Sequence, residues 1–189
     1  RHGGLAPRRN RAICPLMQHY PNWLIAELRS DHAGETGAVM IYRGILTFCR
    51  DATLRDFAQR HMVTEEGHLR LIEEVLPRHQ HSRLLPIWRV AGWITGAVPA
   101  LFGPRAVYAT IDAVETFVDH HYQQQIERLD AERIFPELRA MLARCQEEEV
   151  HHRDEAREMH AGMVSALLRG WGRLVGFGSE AAVSAARRI

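Results

Sequence analysis

Cysteine is scarce: Cys14, Cys49 and Cys145 lie far apart and form no CxxC. That excludes a disulfide framework and a thiolate zinc site, and it suits a reducing compartment. Charge of one sign is also missing. The formal net charge is +1, which leaves no broad basic field for nucleic acid. No run of about 18 uninterrupted apolar residues occurs, so no membrane-spanning helix is expected. A Gly-rich nucleotide-binding motif is absent too. The first 26 residues carry no acidic residue but hold Arg1, Arg8, Arg9 and Arg11. They read either as the stub of a mitochondrial presequence or as a basic arm near an anionic membrane. We expect residues 1–21 to be a poorly ordered arm.

What is present is the material of one folded domain. The chain has 189 residues, 46% of them apolar and 25% charged, enough for a core that stands alone. From Pro21 onward the apolar residues recur in steps of three and four, the helical period. A first helix over roughly 22–49 aligns Leu24, Leu28, Asp31, Glu35, Ala38, Tyr42, Ile45 and Cys49. A second over roughly 54–76 follows "RDAT", where Asp51 or Thr53 can cap it, and aligns Leu54, Ala58, His61, Glu65, His68, Ile72 and Val75. A third begins at Pro104, a first-turn position, and aligns Tyr108, Ile111, Glu115, Val118, Tyr122, Gln125 and Leu129. A fourth begins near Pro136 and aligns Leu138, Leu142, Cys145, Glu149, His152, Ala156, Met159 and Met163.

Each of these inward stripes carries an acidic residue. Burying unpaired carboxylates costs several kcal/mol apiece, so a cation is needed to balance them. The halves share a layout: Glu35 precedes Glu65-x-x-His68 by 30 residues, and Glu115 precedes Glu149-x-x-His152 by 34. Glu-x-x-His stacks a carboxylate and an imidazole one helical turn apart. Two such pairs and two single glutamates make the ligand set of a carboxylate-bridged di-iron or di-manganese bundle. The expected ligands are Glu35, Glu65, His68, Glu115, Glu149 and His152, with Glu65 and Glu149 bridging. The overlapping pair Glu148–His151 keeps a second register open for the fourth helix. On the first register, Glu149→Ala is expected to abolish metal binding and Glu148→Ala to do little. Asp31 and His121 are candidates to orient a ligand by hydrogen bond. Gly34 and Ala38, with Gly37 between them, leave room beside the metals for dioxygen or a flat ring; Tyr122 is a further candidate to line that channel.

Between the two hairpins, residues 77–103 form an apolar crossover with one charge, Arg89, from Ile87 to Phe102. It reads as lying in a membrane interface, with Trp88, Trp93, Leu101 and Phe102 as contacts; the other reading is a buried connection. The stretch "MVSALLRGWGRLVGFG" repeats the style and reads as an extra C-terminal helix, followed by a tail over 179–189.

"SDHAGETGAVMIYRG", "EEGHL", "AVETFVDHHYQQQI" and "EEEVHHRDEA" resemble the demethoxyubiquinone hydroxylase family, Coq7, from about residue 24 to 160. The six expected ligands fall on that family's metal positions. The resemblance implies an all-α, ferritin-like four-helix bundle over 22–178. It implies two iron ions and dioxygen as co-substrate for ring hydroxylation of a polyprenyl demethoxyubiquinol, with peripheral membrane attachment. Electrons are then expected from NADH or from a separate reductase. Expected partners are the quinol, a membrane surface, a lipid-binding accessory protein and further copies of the chain, at the cytoplasmic face of a bacterial membrane or the matrix face of the mitochondrial inner membrane. Rival readings are a di-iron quinol oxidase, a ferritin-like iron or peroxide handler, and a non-enzymatic lipid-binding subunit.

Overall fold

The computed structural model describes residues 19–161 and 166–189. The basic residues Arg1 to Arg11, and Met163 of the fourth stripe, lie outside the described residues. Among these residues six α-helices follow one another: α1 Asn22–Phe48, α2 Ala52–Val75, α3 Leu85–Leu101, α4 Pro104–Glu132, α5 Pro136–Met159 and α6 Ala166–Ala186. No strand occurs among the described residues.

Local sequence explains the breaks. The Asp51 carboxylate accepts the Leu54 amide at 2.8 Å and caps α2, satisfying an N–H that has no partner inside the helix. α2 stops at Val75, before Pro77. α4 and α5 each open on proline, whose missing N–H costs nothing in a first turn. Gly103 turns the chain between α3 and α4 with φ 97, a left-handed conformation that side chains disfavour.

α1, α2, α4 and α5 form the bundle as two hairpins, and α3 carries the chain between them. The core is split in two. One apolar block holds Ile41, Ile45, Leu54, Phe57, Val107 and Ile111; the other holds Leu24, Leu28, Ile72, Ile126, Leu138 and Leu142. In all four bundle helices the expected ligands lie between the two blocks in sequence, so a polar layer separates two hydrophobic ones.

The crossover is a helix laid along α1. Glycine makes the approach possible: a Cβ built on Gly92 would strike the Gly37 carbonyl, one on Gly96 the Ile41 carbonyl, and one on Gly44 the Trp93 carbonyl. Backbone meets backbone there. The inner face, with Gly92, Gly96 and Ala97, is buried. The outer face exposes Ile87, Val90, Ile94, Leu101 and Phe102. The inner face is the buried connection of one reading; the outer face is apolar and exposed. α6 packs against α4 and α1, and it continues to Ala186, so most of 179–189, expected as a tail, is helical.

Candidate metal centre

The inward stripes bring the six expected ligands together. Glu35 from α1, Glu65 and His68 from α2, Glu115 from α4, and Glu149 and His152 from α5 are all buried. They form two groups of four, Glu35–Glu65–His68–Glu149 and Glu65–Glu115–Glu149–His152, and within each group one ligand atom per residue lies within 4.8 Å of the rest. Glu65 and Glu149 belong to both groups, the place expected of bridging carboxylates. His151 is exposed and His152 is buried, which decides the register of α5.

Both imidazoles turn Nδ1 inward. His68 Nδ1 stands 2.9 Å from Glu149 Oε1 and 3.8 Å from both Glu35 and Glu65. His152 Nδ1 stands 3.1 Å from Glu65 and 3.4 Å from Glu149. No arginine pairs with any of the six among the described residues, so a salt-bridged bundle does not account for the layer. The atoms facing the centre are short of partners: Glu35 Oε2, both Glu65 oxygens, Glu149 Oε2 and His152 Nδ1 make no hydrogen bond. Native proteins leave few buried polar atoms in that state. Hard oxygen and imidazole donors, left open and converging on two points, fit a pair of divalent first-row ions.

The electrostatics agree. Burial, reinforced by the neighbouring carboxylates Glu149 and Glu65, holds Glu115 well above the ordinary carboxylate pKa. Burial raises Glu35 likewise against the pull of His68. Glu65 goes the other way: burial opposes its charge, but His152 and His68 win and bring it down to about 2. Burial also opposes protonation of His152, yet Glu149 and Glu65 lift it to about 9. Without cations, protons hold this cluster together.

An apolar cavity of about 370 Å³ reaches the Glu35, Glu65, Glu115 and Glu149 carboxylates from the side of α3 and α6. Gly34, Ala38 and Tyr122 line it as expected, together with Gly37. A Cβ on Gly34 or Gly37 would meet open space. Tyr122 also donates its hydroxyl to Glu35 Oε1 at 2.5 Å. Trp88 lines the same cavity, so its ring turns inward, whereas Trp93 packs against Phe48. Trp171 and Val175 of α6 close the far wall; the sequence reading gave the C-terminal helix no part in the site and missed them.

Among the described residues, Asp31 and His121 make no hydrogen bond to any of the six. They bond to each other, His121 Nε2 donating to Asp31 Oδ1 at 2.9 Å, and Gln125 donates to the same oxygen at 2.8 Å. Besides Tyr122 on Glu35, Glu148 reaches behind a ligand, 2.7 Å from His68 Nε2. Its place on the wet stripe of α5 gave no sign of this.

Comparison with known proteins agrees with this geometry. A family model described as ubiquinone biosynthesis protein COQ7 matches residues 22–186. The chain is 34% identical over 169 residues to a rat protein named NADPH-dependent 3-demethoxyubiquinone 3-hydroxylase, mitochondrial, covering 86% of this chain and 76% of the relative. It is 31% identical over 166 residues to the Caenorhabditis elegans protein of the same name, covering 86% and 88%. A Rhodospirillum rubrum protein named 3-demethoxyubiquinol 3-hydroxylase is 38% identical over 130 residues, covering 67% and 60%. The all-helical bundle, its carboxylate–imidazole layer and these matches place the chain in the COQ7 family of ubiquinone biosynthesis proteins.

Proposed function

We propose that this chain is a di-iron monooxygenase that hydroxylates the ring of a polyprenylated demethoxyubiquinol with dioxygen. The observation that carries the reading is the paired carboxylate–imidazole layer at the floor of an apolar cavity, in a family whose relatives bear hydroxylase names. Glu35, Glu65, His68 and Glu149 would hold one iron, and Glu65, Glu115, Glu149 and His152 the other. Bound there, the two ions supply the activation of dioxygen, which no side chain of the chain can perform.

The protein supplies the rest. The glycine and alanine wall of α1 admits a flat ring beside the carboxylates. The apolar blocks above and below exclude water, so the ring meets the centre in a dry pocket. Tyr122 steadies Glu35 through its hydroxyl and fixes one carboxylate at the cavity floor. The NADPH dependence in the names of the rat and worm relatives supports a reduced nicotinamide dinucleotide as the electron source.

The substrate's isoprenoid tail makes a lipid-facing mouth necessary. The cavity lies between α3 and α6, and these helices expose Leu101, Phe102, Leu174 and Phe177. No helix among the described residues is long and apolar enough to cross a membrane. The exposed apolar stripes support peripheral attachment through this face. Replacing Leu101 (64% exposed) and Phe102 (77% exposed) by glutamate should at least halve co-sedimentation with phospholipid vesicles and leave metal content unchanged. Undiminished binding would place the lipid contact elsewhere.

The central test is anaerobic loading with ferrous iron, then addition of dioxygen and a demethoxyquinol analogue, with mass spectrometry of the product. Gain of one oxygen atom drawn from isotopically labelled dioxygen is expected. Stoichiometric unmodified quinone would instead make the protein a quinol oxidase.

A further inference from the structure

The two halves of the centre look alike from inside and differ from outside. His68 is 2% exposed and uses both ring nitrogens. Nδ1 faces the cluster. Nε2 lies 2.7 Å from Glu148 Oε2, a carboxylate whose side chain is 56% exposed. A carboxylate only accepts, so the proton of this bond sits on Nε2. Glu148 makes no other ion pair among the described residues, so no arginine competes for it. His152 has no such partner among the described residues: its ion pairs there run through Nδ1. Its ring instead lies against the His61 ring, centroids 4.0 Å apart. The nearby carboxylate of Glu155 is taken by His61 and Arg60, at 2.8 and 2.7 Å.

We propose that Glu148 is a positioning residue that fixes the His68 tautomer and makes the His68 seat the tighter of the two metal seats. A carboxylate accepting from the outer nitrogen of a metal-binding imidazole holds the ring in place, keeps the inner nitrogen free for the ion and raises its basicity. His68 receives all three effects. On its outer side His152 has ring packing against His61 and no carboxylate among the described residues. The seats therefore fill in order, that of His68 first. The sequence had placed Glu148 on the wet face of α5 and made its truncation silent; the bond to His68 reverses that expectation.

This inference rests on the di-metal reading, and the test separates the two. The metal-free full chain is titrated anaerobically with Co²⁺ against a competing chelator, and with ⁵⁷Fe²⁺ for Mössbauer spectroscopy. The wild-type chain should take up two ions with unequal affinities. Glu148→Ala should weaken the tighter step about 10- to 100-fold, shift one of two iron signals and leave the other seat unchanged. Glu148→Gln keeps an acceptor without the charge and should fall between. Circular dichroism establishes that each variant is folded; should the alanine variant fail to fold, the glutamine variant carries the comparison. Wild-type affinities in a folded variant, or equal weakening at both seats, overturn the role of Glu148 alone. A wild-type chain that takes up no metal overturns the di-metal reading itself.

Discussion

Glu149→Ala is expected to empty both metal seats and to abolish hydroxylation of the quinol analogue. Each group of potential ligands contains Glu149, so one truncation takes a donor from both ions at once. No neighbour on the helix replaces it: Glu147 is exposed, and Glu148 lies on the outer side of His68, bonded to Nε2 rather than facing the centre. Metal content measured after iron loading should fall from two ions per chain to none, with product formation at background. Glu147→Ala, on the solvent side of the same turn, should retain both ions and full activity. Two tightly held ions in the Glu149 variant would show that the bridging assignment is wrong.

The metal-free protein should be most stable at the upper edge of the ordinary carboxylate range, about pH 4 to 5, and lose stability steadily toward pH 9, a loss that added metal removes. The signs come from each group in turn. His152, lifted to about 9, stabilises fully below its unfolded value of about 6.5, and that contribution is lost as pH rises through 9. His68, raised further in the same direction, adds to the alkaline loss. Glu35 and Glu115 are raised carboxyls; they favour the fold in their neutral form, and their contribution fades as pH climbs above the ordinary carboxylate range. On the acid side, Glu65 and Glu155 are both brought down to about 2, so their contribution is lost as pH falls from the ordinary range toward 2. His61, lowered to about 4 mainly by burial, costs stability as pH falls from 6.5 to 4. Divalent ions take the place of the protons, so thermal melts of the iron- or manganese-loaded chain should stay level from pH 7 to 9. A metal-free melting temperature that is flat over that range would mean protons do not hold the cluster.

Much of this architecture was legible in the sequence, for a physical reason. Helical period tells which side of a helix faces inward, and acidic residues on an inward stripe are costly enough to demand an explanation. Glu35, Glu65, His68, Glu115, Glu149 and His152 could be named on that ground. Period does not tell which side chains meet across helices. Asp31 and His121 sit on neighbouring helices at the right height to bond each other, and nothing in their spacing distinguishes that from holding a ligand. Glu148 is exposed along α5 and still reaches His68 on α2, a contact set by the distance between helices rather than by either sequence. Trp88 looked outward because tryptophan flanking an apolar run often does; the glycines of α3 bring that helix so close to α1 that its ring turns into the cavity.

That glycine contact has a mechanical outcome. Where Gly92 and Gly96 press on the Gly37 and Ile41 carbonyls, no compliant layer of side chains separates the two rods. A force on the exposed outer stripe of α3 passes into α1, the helix that carries Glu35, across main-chain contacts rather than through side chains, so the two helices shift together.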